Sequence, residues 1–267
     1  MPARIAVVGH VEWVEFIQLP GFPARGGITA GDGAFTHAGG GAVVAAAVLA
    51  ELGHPVDFFC ALGRDADGEA AAAELSARGI TVHAAWRPPP TRRVVTLLEP
   101  AGERTIITLG ERIEPHGADP LAWERIDEAA AVYVTAGDAA AVTQARRART
   151  LVATPRARDG LQASHATIDA LVYSRGDADE RRWAQPLIGR TRLMVETEGA
   201  HGGRWWGESE GRWPPVALPG PRRDDYGCGD AFAAGLTAGL ADGLALLEAA
   251  GVGAERGAEM LTRVGAP

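Results

Sequence analysis

Short apolar blocks alternate with longer mixed segments along most of the chain. Arg4–Val8 (Arg-Ile-Ala-Val-Val) ends at Gly9 and has the continuous apolar character of a strand buried on both faces. Ala42–Leu52 is apolar except for Glu51 and stops at Gly53, which predicts a helix with a glycine end. Val56–Cys60 predicts the next strand, and Glu69–Arg78, closed by Gly79, the next helix. Further strands are expected at Val132–Thr135, Leu151–Ala153, Ala170–Tyr173 and Leu193–Glu196, with helical or loop segments between them. This β/α order favours a mostly parallel sheet with helices on both faces.

Two regions break the rhythm. One is Glu12–Leu19 with its Gly/Pro-rich continuation from Pro20 to Gly33. The other contains two β-rich runs, Arg93–Leu98 and Thr105–Leu109, around Pro100-Ala101-Gly102-Glu103, which reads as a hairpin. Pro88-Pro89-Pro90 is a stiff lead into it. The segments near 11–37 and 90–110 are expected to form a small sheet standing off one main α/β domain that spans 1–267.

The most chemically specific stretch is Asp224-Asp225-Tyr226-Gly227-Cys228-Gly229-Asp230-Ala231-Phe232. Gly227, Cys228 and Gly229 lead into Asp230, and an Ala/Leu-rich helical segment follows to Leu240. A small-residue turn that opens a helix leaves unpaired N–H groups at its positive end, a ready site for an anion. A carboxylate in the same turn can serve as a base beside a bound phosphate. The bland reading of the same residues is a glycine start with Asp as a first-turn dipole partner.

Asp224 to Phe232 resembles the C-terminal signature of the ribokinase-like (PfkB) carbohydrate kinases, D-T-x-G-[AC]-G-D-x-F. Three more stretches are similar to that family in the same order. They are Ala38-Gly39-Gly40-Gly41 before its helix, Gly63-Arg64-Asp65-Ala66-Asp67-Gly68, and Thr197-Glu198-Gly199-Ala200-His201-Gly202-Gly203. The resemblance covers nearly the whole chain. It implies a three-layer α/β/α domain with a β-sheet lid, and a kinase that moves phosphate from ATP to a hydroxyl of a small sugar or sugar-like acceptor. It assigns Asp230 as base and the turn at Gly227, Cys228 and Gly229 as anion hole. Thr197, Gly199, Gly202 and Asp224 fall on the nucleotide side, and Glu12, Trp13, Gly39 and Gly40 on the acceptor side. It also implies Mg²⁺, with Asp177 and Glu180 as candidates near it, allows a monovalent cation such as K⁺, and suggests a homodimer through the lid.

The chain departs from that pattern in several places. Asp225 stands where Thr is usual, and its charge should repel phosphate unless it points away or meets a cation. The Asn that follows the Gly-Gly pair is replaced by Val44 or Ala45, and the Asn of the N-x-x-E motif is missing from Ser174–Glu180. These losses predict a less hydroxylated acceptor, with Glu12 bonding its hydroxyls and Trp13 covering an apolar face. Cys228 reads as a small residue tolerated in the turn. His10, Glu12 and Glu15 could be drawn as metal ligands but lack a fourth partner at a meaningful spacing. Trp205-Trp206 reads as core or edge packing.

Composition narrows the chemistry. The 267 residues carry a formal net charge of −8, and no basic block marks a nucleic-acid site. No run of 18 apolar residues occurs, and the N-terminus lacks a signal segment, so a cytoplasmic protein is expected. Cys60 and Cys228 are the only cysteines and suggest neither a disulfide framework nor a zinc motif. The chain has no lysine, which excludes a Walker A loop and a lysine Schiff base. Any nucleotide must be held by backbone N–H groups, arginine and metal. Two rivals stand beside the sugar kinase. One is a nucleoside kinase of the same fold; the other is a catalytically impaired ligand-binding or regulatory homologue.

Overall fold

Segments in which every residue is apolar go to the centre of the molecule. The computed structural model describes residues 2–265. Its strands and α-helices follow in the order β1 (Ile5–Val8), β2 (Glu12–Gln18), β3 (Gly33–Gly39), α1 (Gly41–Glu51), β4 (Val56–Gly63), α2 (Ala66–Ala77), β5 (Thr81–Arg87), β6 (Arg93–Leu98) and β7 (Arg104–Leu109). Then come β8 (Ala131–Val134), α3 (Ala139–Ala145), β9 (Thr150–Ala153), α4 (Arg158–Ser164), β10 (Ile168–Ser174), α5 (Ala178–Ala184), β11 (Thr191–Thr197), β12 (Gly203–Gly207), β13 (Gly211–Trp213), α6 (Cys228–Ala241) and α7 (Leu246–Met260).

One sheet has nine strands in the order β13-β12-β11-β10-β9-β8-β1-β4-β5. The strands from β5 to β11 run parallel, and β12 and β13 turn back antiparallel at one edge. α1, α2, α6 and α7 cover one face and α3, α4 and α5 the other, so apolar residues fill both interfaces. β1 lies mid-sheet between β4 and β8. The sheet grows outward from it in both directions, which leaves a crevice at the C-terminal ends of β1 and β8.

The second sheet has four strands in the order β3-β2-β6-β7. Its hairpins β2–β3 and β6–β7 are antiparallel, joined by the parallel pair β2–β6. The hairpin expected between Arg93 and Leu109 is therefore present, and it lies outside the large sheet. β2 alternates: Glu12, Val14 and Phe16 are buried, while Trp13, Glu15 and Ile17 are half-buried on the other face. Phe16 stacks on Phe35 at 5.0 Å and meets Tyr226 edge-on at 5.1 Å, tying this sheet to the segment before α6.

α2 begins at Ala66, three residues before its expected start, because Asp65 caps it. Asp65 Oδ1 accepts from the Gly68 N–H and the Thr91 hydroxyl, each at 2.8 Å, and Oδ2 accepts from the Thr91 N–H at 2.7 Å. A Cβ on Gly63 would lie 2.3 Å from Thr91 N, and one on Gly68 would lie 2.4 Å from Gly63 O. The Gly63–Gly68 motif is thus a clasp on Thr91, where the chain passes from the large sheet to the small one. The edge strands β5 and β13, and β12 next to the edge, lack the apolar blocks of the central strands. Trp205, Trp213 and Phe232 stack in series at 6.3 and 5.2 Å, so β12 and β13 are pinned to α6.

Candidate active site

A cleft of approximately 980 Å³ opens over the C-terminal ends of the central strands, between them, the small sheet and the N-terminus of α6. α6 starts with Gly227 as its N-cap, at φ 71°, and no side chain caps it. Only glycine adopts this left-handed geometry readily, and a Cβ here would also meet Val44 at 2.7 Å. The Asp230 N–H finds no acceptor among the described residues, and the Gly229 N–H meets only the sulfur of the adjacent Cys228. Gly229 has open space around it. The turn is therefore an uncapped helix end that faces the cleft.

Asp230 has two close neighbours. The Tyr133 hydroxyl, rising from β8, donates to Oδ1 at 3.0 Å. Gly41 packs against the same carboxyl, where a Cβ would come within 2.5 Å of Oδ1 and 2.7 Å of Oδ2. Among the described residues no hydrogen bond engages Oδ2. Burial raises the Asp230 carboxyl above its ordinary range, against the opposing pull of Arg156, Tyr133, His10 and Arg104. A raised carboxyl beside an uncapped helix end suits proton transfer next to an anion.

A second turn meets the first through one hydroxyl. Gly40, at φ 95°, donates its N–H to Tyr226 Oη at 2.9 Å. Gly39 packs so closely on Val14 and Tyr226 that a Cβ would lie 2.5 and 2.6 Å from them. Glu12 reaches the cleft beside this turn, with Oε1 3.6 Å from His10 Nε2 and 3.3 Å from Arg92 Nη1. Burial alone would raise the Glu12 carboxyl, but His10, Arg92 and Arg112 outweigh it and hold it below its ordinary value. The same wall carries buried polar atoms without a partner: His10 Nδ1, Arg92 Nε and Thr135 Oγ1.

Across the cleft stands Arg156, from the turn after β9. Its Nε donates to Glu180 Oε1 at 2.7 Å and its Nη2 to Asp177 Oδ2 at 3.0 Å. Glu180 Oε2 takes the Ser174 N–H, and Asp177 Oδ1 caps α5 by accepting from the N–H groups of Asp179 and Glu180. All four oxygens of the two candidate metal carboxylates thus already have donors. Among the described residues no group of three or more His, Cys, Asp or Glu could hold a metal ion. As arranged, these side chains offer a Mg²⁺ ion no oxygen that is not already bonded.

The remaining sequence candidates divide. Thr197 and Gly199 line the cleft where β11 ends. Gly202 does not; at φ 80° it packs on the Trp213 carbonyl and shapes the turn into β12. Asp224 is buried and binds the Tyr226 and Gly265 N–H groups, so it fixes the loop before α6 rather than facing the cleft. Trp13 lies on the opposite face of β2 from Glu12, because strand neighbours alternate. The two cannot flank one acceptor from that strand, and the expected Trp13 cover is withdrawn. Cys228 lines the cleft, and burial pushes its thiol up, away from thiolate reactivity. Asp225 does meet a cation: Arg104 of β7 contacts it, and Arg222 lies 3.6 Å away.

Sequence reading missed Gly41, Tyr133, Arg104 and Arg156 as members of this site. Gly41 stood inside a quoted glycine run, which was the available signal. Tyr133 stood inside the predicted strand Val132–Thr135 as its one aromatic side chain.

Residues 2–173 match the profile of the pfkB family carbohydrate kinases. No curated protein matches the chain by sequence. Among solved structures, a microbiome-derived acarbose kinase is 25% identical, with a TM-score of 0.79 over 99% of this chain and 94% of that one. Ribokinase from Arabidopsis thaliana, solved with ribose and ATP, is 19% identical with a TM-score of 0.77 over 100% and 95%. A nucleoside kinase from Methanocaldococcus jannaschii is 15% identical with a TM-score of 0.76 over 100% and 94%.

Proposed function

The chain belongs to the pfkB family of carbohydrate kinases, and on that premise we propose that its cleft transfers the γ-phosphoryl group of ATP to a hydroxyl of a small sugar or sugar-like acceptor. The observation that carries this reading is Asp230, with one oxygen tethered and the other without a bond among the described residues, beside the uncapped N-terminus of α6. In the reaction Asp230 Oδ2 takes the acceptor's hydroxyl proton. The acceptor oxygen bonds to the γ-phosphorus as the bond to the β-phosphate oxygen breaks, and ADP leaves. The Gly229 and Asp230 N–H groups stabilise charge on the moving phosphoryl group, and Arg156 adds a fixed cation on the far side. Thr197 and Gly199 border the nucleotide.

On the acceptor side, Glu12 keeps its negative charge and accepts hydrogen bonds from hydroxyls. The partnerless atoms of His10, Arg92 and Thr135 favour a polar occupant, since buried polar atoms left unpaired cost about 1–3 kcal/mol each. This replaces the expectation of a less hydroxylated acceptor, which rested on the missing asparagines alone. The small sheet acts as the lid. Its outer strand β7 leaves Ile107 and Leu109 exposed, which supports a homodimer through that sheet; a monomer by sedimentation at micromolar concentration would remove it. The non-catalytic alternative loses its argument from Asp225, whose charge is met by Arg104. No helix among the described residues is long and apolar enough to cross a membrane.

The test is a panel of sugars, sugar acids and nucleosides with Mg-ATP, read as ADP release and as a phosphorylated product by mass spectrometry. Asp230→Asn serves as the control. Product from a sugar with wild type and none with the variant supports the reading. Preference for nucleosides would move the substrate class, and no product from any hydroxyl acceptor would defeat the kinase assignment.

A further inference from the structure

We propose that Tyr133 is the positioning residue of the cleft carboxylate: its hydroxyl holds Asp230 Oδ1 so that Oδ2 alone faces the acceptor. The inference rests on the reading of Asp230 as base.

Tyr133 occupies the middle of the large sheet, beside Val7 of β1 and Val152 of β9. Its strand neighbours Val132 and Val134 are plain aliphatic side chains, as a parallel-sheet core favours. Tyr133 is 1% exposed, yet its ring carries a polar tip to the N-terminus of α6. A buried hydroxyl must find a partner, and among the described residues the one it has is Asp230 Oδ1 at 3.0 Å. Gly41 packs against the same carboxyl, leaving less room than a Cβ needs beside either oxygen.

The consequence is geometric. The last torsion of an aspartate is broad and roughly two-fold, so a free carboxylate exchanges its oxygens. Tethered at Oδ1 and backed by Gly41, this one presents a single oxygen in a single direction. Such orientation is a large part of what a site supplies to an approaching hydroxyl. The phenol stays a donor throughout, because burial and the adjacent Asp230 raise it well above its ordinary value. Other charged or titratable groups face Asp230 as well. Arg156, His10 and Arg104 favour its ionised form, while Glu180, Cys228 and Tyr226 are also close enough to couple. Tyr133 is the one that fixes an oxygen by a hydrogen bond.

The test compares wild type, Tyr133→Phe and Asp230→Asn in protein labelled with ¹³C at aspartate carboxyls. Asp230→Asn assigns the resonance. In Tyr133→Phe the Asp230 titration midpoint should rise by about one pH unit, because a bond to the charged form is lost. With an acceptor from the panel, kcat should fall about 10-fold while the KM for ATP stays within about twofold. An Asp230 midpoint unchanged in folded Tyr133→Phe overturns the proposal. Should that variant not fold, the Tyr133 ¹³Cζ resonance of wild type decides. It should move with the Asp230 midpoint and lose that response in Asp230→Asn; a resonance indifferent to both overturns the proposal. Full turnover in Asp230→Asn would instead remove the base assignment itself, whatever Tyr133→Phe does.

Discussion

α5 and α6 both point their N-termini into the same cleft, and they are finished in opposite ways. At α5 the chain supplies its own anion: Asp177 accepts from the first-turn N–H groups, and Arg156 ties Asp177 and Glu180 together. At α6 the cap is glycine, and among the described residues the Asp230 N–H has no partner and the Gly229 N–H only the adjacent Cys228 sulfur. Each end also carries a carboxyl raised by burial, Glu180 in one case and Asp230 in the other. Both Glu180 oxygens are bonded, whereas Asp230 keeps one free. Burial and a raised carboxyl therefore do not by themselves mark a base. The unspent oxygen beside an uncapped helix end does.

The largest effect that can break this contrast is at the carboxyls. Asp230→Asn should lower kcat by about 10²-fold or more with nucleotide affinity retained by calorimetry, and Glu180→Gln should lower it by less than about 10-fold. Equal losses would end the distinction. The pH dependence has a fixed sign. The base must be ionised, so kcat/KM should fall as pH drops through a value above the ordinary aspartate range. For stability the sign reverses. A carboxyl raised in the folded state contributes stability below its unfolded value, and that contribution is lost as pH rises through the folded one. Ionised Asp230 thus weakens the fold at neutral pH, and Asp230→Asn should raise the thermal midpoint.

Next in size is Gly229→Ala, which adds a methyl where the protein leaves open space. ATP affinity should fall about 10-fold by calorimetry if phosphate lies there, as one interaction of about 1.4 kcal/mol is a factor of ten. The thermal midpoint should hardly move. An affinity loss matched by unfolding would mean that the turn only shapes the helix. Asp177→Ala should do the reverse, costing about 1 kcal/mol in urea denaturation for the lost cap while ATP affinity changes little. A large affinity loss would place Asp177 on the nucleotide. Smallest of all, Asp225→Thr should leave ATP affinity within about twofold. The Asp225–Arg104 pair is partly exposed, and such pairs contribute little. A marked loss would show that Arg104 needs its carboxylate to stay clear of the phosphate.

How much of this the sequence revealed follows from burial. β1, α1 and the strands of the sheet centre announce themselves as unbroken apolar blocks because both of their faces are covered. β5 and β13 lie at the edges and β12 beside one of them, where thinner cover leaves only a weak pattern. Asp230 and its turn were readable because contiguous residues build them. Tyr133, Arg104 and Arg156 reach the cleft from separate strand ends and turns, and nothing local in the chain links them. Glu12 and Trp13 give a different lesson. The period of a strand puts adjacent residues on opposite faces, so reading Glu12–Leu19 as β structure already excluded one of the pair.

The Tyr226 hydroxyl on the Gly40 N–H joins positions 186 residues apart in the chain. Contacts of such sequence separation form late, because loop-closure entropy must be overcome first. During synthesis the strands of both sheets emerge before Asp224–Asp230 does. A ribosome-bound chain can therefore lay down much of the scaffold while the Gly39–Gly41 turn still lacks the tyrosine that pins it and the aspartate that it backs. The cleft becomes a finished object only when this late segment docks, so a nascent chain stalled before Tyr226 should have a sheet without a site.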